Sequence, residues 1–184
     1  MNENFLTSTR KLFQYYKSLG DKAMAQVDDT QINWQPNEFS NSISLIVHHL
    51  SGNMISRFTN FLTSDGEKPW RDREAEFEKG YGSKAEMLEA WEKGWKVLFD
   101  SLANLKSSDL DKIVFIRNEG HSVLDALQRQ LAHYPHHVGQ IVYVAKMLKE
   151  KDWQTLSIPR GGSSSYNAEK FSEDKGIRHF TDKA

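Results

Sequence analysis

The amino-acid sequence predicts an all-α fold, a four-helix bundle, and three observations carry that expectation. Four long stretches place apolar residues at steps of three and four, the helical period. Strand-like alternation is confined to a few residues around Ile113 to Ile116. Five Trp, ten Phe and six Tyr, within an apolar content of 38%, supply anchors for one core in a chain of 184 residues. Four amphipathic helices with little else pack as a bundle. Residues 1–155 are expected to form it and residues 156–184 a C-terminal tail.

The first helix is expected over residues 4–27, with Phe5, Leu12, Tyr16, Leu19, Ala23 and Val27 on its apolar stripe. Asp, Asn and Pro36 then break the pattern, and Trp34 is expected to tuck that loop onto the core. The second helix, 41–63, runs its stripe through Ile43, Val47, Leu50, Met54, Phe58 and Phe61; Gly52 weakens it slightly. A charged loop, "SDGEKPWRDREAEFEKGYG", follows. It is longer than most connections in a compact domain, so it is expected to be anchored by Trp70 and Phe77 on the bundle, with Arg71 or Arg73 paired to carboxylates. Ser83 and Glu86 make a capping-box signature for the third helix, whose stripe is Leu88, Trp91, Trp95, Leu98, Leu102 and Leu105. The alternation at 113–116 and an Asn-Glu-Gly turn predict a short hairpin or an extended crossing, after which Ser122 and Asp125 cap the fourth helix, running to about Lys149.

Composition narrows the function. The 24 Lys and Arg nearly balance 25 Asp and Glu, so no whole-chain field draws nucleic acid or an anionic membrane. Cysteine is absent, which removes disulfides, thiolate metal sites and cysteine nucleophiles and leaves His and carboxylates for any metal site. "MNENFLTSTRKLF" lacks the features of a secretory signal, and no segment approaches the roughly 18 apolar residues of a membrane span, so a cytoplasmic protein is expected. Its expected partner is a small-molecule substrate, with a homodimer as the candidate assembly.

"HYPHHVGQIVYVAK", residues 133–146, crowds histidines into the fourth helix. On a wheel of 100° per residue, Leu124, Leu127, Leu131, Tyr134, Val138, Ile141, Val142 and Ala145 form its core stripe, and His133 and His137 share one flank while His136 points away. Residues four apart stand one above the other, so His133 and His137 can give two nitrogens to one metal ion. HxxxH spacing alone is weak and common by chance, and surface or hydrogen-bonded core histidines are the more frequent source of it. In the second helix His48 and His49 both flank the stripe; the polar strip of Ser42, Asn53, Ser56 and Asn60 favours His49, with Asn53 to orient it. Pro135 removes the hydrogen bond to the Leu131 carbonyl, and it either kinks the helix and re-aims His133 or is simply tolerated. The HExxH glutamate of zinc proteases is missing, and "RGGSSS" is no phosphate loop.

A four-helix bundle with one His in helix two and HxxxH in the last long helix, together with "HHVGQIVYVAK", resembles the DinB/YfiT-like superfamily of metalloenzymes. The resemblance is nearest to a bacterial subfamily, through "HHLSGNMISRFTNFLTSDGEKPWRDREAEF" at 48–77, "RNEGHSV" at 117 and "WQTLSIPRG" at 153, and spans roughly residues 5–162. It implies a divalent metal, nickel or zinc, held by a histidine triad that maps onto His49, His133 and His137. It also implies group transfer to low-molecular-weight thiols such as bacillithiol, mycothiol or glutathione. Three His ligands leave positions open on the ion, where a thiol would lose its proton. The rival expectation is a non-catalytic bundle acting in stress response through partner binding, its metal structural or vestigial. Finally, Leu156 to Gly162 is expected to fold back near the mouth of the metal site and offer Arg160 to a substrate carboxylate, where composition alone gives a loose tail.

Overall fold

Three serines set where the long helices begin. Ser42, Ser83 and Ser122 each stand one residue before a helix, and each hydroxyl accepts a hydrogen bond from the backbone N–H three residues on: Leu45 at 3.2 Å, Glu86 at 3.2 Å and Asp125 at 3.0 Å. The computed structural model describes residues 2–183. Its helices are α1 (Asn2–Ala25), α2 (Ile43–Phe58), the single turn α3 (Ala75–Glu78), α4 (Lys84–Asn104), α5 (Val123–Lys149) and α6 (Ser163–Ser172). A hairpin of β1 (Ile113–Ile116) and β2 (Glu119–Ser122) precedes α5, so the protein is mostly helical with one short antiparallel sheet. Among the described residues no helix is long and apolar enough to cross a membrane.

The four long helices pack in two principal pairs, α2 on α4 and α1 on α5. Gly94 lets the first pair approach closely, since a Cβ there would lie 2.9 Å from the Ser51 Cα. Trp91 and Trp95 are core, as their period requires, and Trp95 joins Phe13 and Tyr134 in an aromatic cluster at the bundle centre. The expected α1 stripe is only part of the buried face: Ala23 and, just past the helix, Val27 are buried and Phe5, Tyr16 and Leu19 pack against the core, but Leu6, Thr9, Phe13 and Met24 are buried as well, and Leu12 is only partly so. A polar Thr9 and a glycine at position 20 sit on the buried face, and neither registers in a count of apolar residues.

Three connections differ from expectation. Trp34 is 37% exposed, and the preceding loop is anchored instead by Ile32, which is fully buried. The hairpin turns on Arg117 and Asn118, not on Asn-Glu-Gly: Ile116 pairs with Glu119, and both turn residues have positive φ, 56° and 63°, as a two-residue hairpin turn demands. Asp65 holds this turn, its carboxylate accepting from the backbone N–H groups of Arg117 and Asn118, both at 2.9 Å. The 64–82 loop is thereby tied to the hairpin. Trp70, expected on the bundle, is 59% exposed, and buried polar side chains anchor the loop in its place: Lys68, Arg71 and Glu76.

The helix of α5 runs unbroken through Pro135. Beyond it, the Gln154 N–H donates to the Gln26 side chain at 2.8 Å and Leu156 packs against the core. The tail, read from sequence as lacking any period, contains α6, whose residues are nearly all exposed. Further along it, His179 meets Ser8 of α1 at 3.1 Å and Phe180 packs edge-on against Tyr15.

Candidate metal centre

Helix α2 is buried on most of its circumference, so a polar residue there must face either a polar partner or a cavity. His49, 4% exposed, faces α5. On α5, His133 and His137 stand one turn apart on the flank of the core stripe. The His133 Nε2 lies 3.3 Å from that of His49 and 3.1 Å from that of His137. The three histidines present one ligand atom each, all within 4.8 Å of one another. His136 is exposed, and His48 turns to the 64–82 loop, its Nδ1 3.1 Å from the Lys79 carbonyl.

These spacings fit a metal ion. Two nitrogens bound to one ion at 2.0–2.1 Å stand about 2.9 Å apart at a right angle and about 3.4 Å apart at the tetrahedral angle. The hydrogen bonds at the far side of two rings fit as well. His49 Nδ1–H donates to Glu76 Oε2 at 2.9 Å and His137 Nδ1–H donates to Gln140 Oε1 at 2.7 Å. With the ring proton on Nδ1, each ring presents a bare Nε2 lone pair to His133, whose Nε2 can donate to only one of them. A cation between the three satisfies all the lone pairs at once.

Glu76 is itself fixed: Arg71 holds it bidentately, Nε to Oε1 at 2.8 Å and Nη2 to Oε2 at 2.9 Å. Burial acts to raise the Glu76 pKa, but the hydrogen bonds from His49 and Arg71 and the Arg71 charge outweigh it, and the net shift is downward. This carboxylate stays ionised and fixes the His49 tautomer. It reaches His49 across Gly52, where a Cβ would lie 2.2 Å from Glu76 Oε1. Phe77 covers the His49 ring at 4.8 Å between centroids, and the Arg73 guanidinium lies over Phe77 at 5.1 Å. Burial first, then the neighbouring histidines, push His133 down to about 3; burial also takes His137 to about 4, opposed by the Gln140 hydrogen bond and reinforced by His49. Both rings are neutral, and so ready to ligate, at neutral pH.

The triad opens to a cavity of about 520 Å³, in whose wall stand five arginines, Arg57, Arg71, Arg73, Arg117 and Arg129. Arg160 is exposed and is not among the residues of this wall. The strap expected to carry it there packs elsewhere: Leu156 and Ser157 line a separate hollow of about 770 Å³ with Lys22 and Lys149, at the far ends of α1 and α5. Sequence reasoning reached the three histidines and offered Arg71 as an ion-pair partner. It missed Glu76, which one carboxylate among many in "RDREAEFE" does not advertise, and named Asn53 in its place; Asn53 instead accepts from the buried Tyr134 hydroxyl at 3.0 Å.

Fold and site together define a helical-bundle protein whose three-histidine cluster can hold a metal ion. The chain belongs to the family described as "Protein of unknown function (DUF1572)", which matches residues 1–162. No curated protein and no solved structure matches it significantly.

Proposed function

We propose that the chain is a divalent-metal enzyme of the DinB/YfiT-like superfamily, with nickel or zinc at His49, His133 and His137, that transfers a group to or from a low-molecular-weight thiol. The observation that carries this reading is the convergence of three histidine nitrogens, with no fourth protein ligand among the described residues, on the wall of a 520 Å³ cavity. Closed structural sites use four protein ligands, whereas catalytic ones leave a position for water or substrate. An ion held there supplies Lewis acidity and lowers the pKa of a thiol or water that reaches it.

The chain's own residues orient and enclose. Glu76 and Gln140 fix two imidazoles, Arg71 keeps Glu76 charged, and Phe77 shields the His49 ring from water. The nucleophilic sulfur comes from the co-substrate, because the sequence contains no cysteine. In the transfer, sulfur forms a bond to an electrophilic carbon, the leaving group departs with its electron pair, and the thiol proton is released to solvent or to the leaving group. Metal analysis of protein purified without a polyhistidine tag is the first test, with about one divalent ion per chain expected and none in His133→Ala. A thiol-by-electrophile screen on the metal-loaded protein follows. Absence of bound metal sinks the whole reading, and turnover indifferent to added thiol sinks the transferase part of it.

A further inference from the structure

We propose that the cavity beside the triad is built for an anionic small molecule, with Arg73, Arg117 and Arg129 seating a carboxylate or phosphate group while the rest of the molecule lies against the histidines. This deepens the enzymatic reading by naming a substrate class for the same site, and it rests on that reading only for the word substrate.

The charge balance of the wall is the starting point. The whole chain carries a formal charge of −1, yet five guanidinium groups surround this one cavity. Two of them are spent within the protein. Arg71, its side chain 3% exposed, is bound by Glu76, and Arg57, also buried, is bound by Glu67 and the Gly66 carbonyl. The other three retain capacity. Arg117 has Glu67 as its one carboxylate partner among the described residues, and Glu67 is also in contact with Arg57 and Arg71. Among the described residues Arg73 forms an ion pair only with Glu74, a solvent-exposed carboxylate, and such surface pairs are weak. Arg129 has no hydrogen-bond or ion-pair partner among the described residues.

Their origins make this more than the charged face of one helix. Arg73 comes from the 64–82 loop, where its guanidinium lies over Phe77; Arg117 from the hairpin turn; Arg129 from α5. Arg117 is presented by a backbone already fixed, since Asp65 accepts both turn N–H groups. Arg129 precedes His133 by four residues, one helical turn, so the anion seat and the triad are neighbours along α5. Between them stands Gln130, 3% exposed, whose side-chain carbonyl is buried without a partner among the described residues. A carbonyl oxygen left unpaired in a cavity wall is an acceptor, so it suits a hydrogen-bond donor on the body of the ligand and not its anionic group. Guanidinium forks suit planar or tetrahedral oxyanions, which is why the seat takes carboxylate or phosphate rather than halide.

The test is calorimetric titration of the metal-free protein at low ionic strength with two probes, succinate and inorganic phosphate, which separate a carboxylate seat from a phosphate seat. Saturable binding of at least one probe is expected. The double variant Arg117→Asn/Arg129→Ala should weaken it at least tenfold; Asn tolerates the left-handed turn conformation and position 129 is exposed, so the fold is retained, as circular dichroism will verify. Arg160→Ala, outside the wall, should leave binding unchanged. His133→Ala should lose metal yet keep the anion, which separates failure of the metal site from failure of the anion seat. No saturable binding of either probe to the wild-type protein, or equal binding by the folded double variant, overturns the proposal.

Discussion

His133 and His137 are neutral because burial makes their charged forms costly, and that cost has a sign in pH. Their pKa values in the folded protein fall from 6.5 to about 3 and about 4, while the unfolded chain keeps the ordinary value. Between those limits the unfolded state binds more protons, so acidification favours unfolding. The stability tied to these rings is intact above pH of about 6.5 and is lost progressively as pH falls toward 4. Metal-free protein should therefore show a denaturation midpoint that falls between pH 7 and 5, before carboxylates such as Glu76 begin to protonate. His133→Gln should flatten that slope; equal slopes would place its origin in other groups.

The 64–82 loop is the element on which the site depends most and which the sequence disclosed least. Of its expected anchors, Phe77 covers the His49 ring and Arg71 pairs with a carboxylate, but Trp70 is exposed, and the further anchors, Glu76 and Lys68, are buried charges. A buried carboxylate and a solvated one are the same letter in a charged run, so only the fold distinguishes Glu76 from Glu74 or Glu78. Helix phase was legible for the opposite reason. In α5 the period, the Ser122 cap and the i, i+4 spacing agree, and they place His133 and His137 on one flank without knowledge of the partner helix. Gly52 joins the two cases. As a helical residue it costs about 1 kcal/mol relative to alanine. Yet an alanine Cβ would lie 2.2 Å from a Glu76 oxygen that Arg71 and His49 pin from both sides. Displacing a buried charge from its partners costs about 3–5 kcal/mol, so the clash wins over propensity. Gly52→Ala should lower thermal stability and weaken metal binding roughly tenfold or more, as Glu76→Gln should. A variant that is more stable and binds metal normally would show that Glu76 moves aside freely.

At the scale of the whole molecule, the bundle architecture was legible because every long helix carries its own period, and α4 and α5 a cap signature as well, whereas the cavity was not, because its five arginines come from α2, the 64–82 loop, the hairpin turn and α5, four elements that meet only in the fold. The triad likewise joins α2 to α5. A ligand that binds only the folded state stabilises it by about 2.7 kcal/mol at a hundredfold excess over its dissociation constant. In a chain of this size that is a rise in Tm of about 5–10 °C. Calorimetric scans with nickel or zinc should show this rise for the wild-type protein and not for His133→Ala. A shift of the same size in both would mean that the metals bind elsewhere.

The separation of His49 from His133 by 84 positions has a kinetic consequence. An ion cannot bridge these residues until α2 and α5 are docked and the intervening loop has closed, which are late events in a chain whose helices form from local contacts. An interaction absent from the transition state slows unfolding and leaves the folding rate alone. The bridged protein would thus owe the ion its lifetime rather than its speed of assembly. A chelator added to native protein should hasten unfolding, while refolding from denaturant proceeds at one rate with or without metal. Faster refolding in the presence of metal would mean instead that the histidines meet before the barrier is crossed.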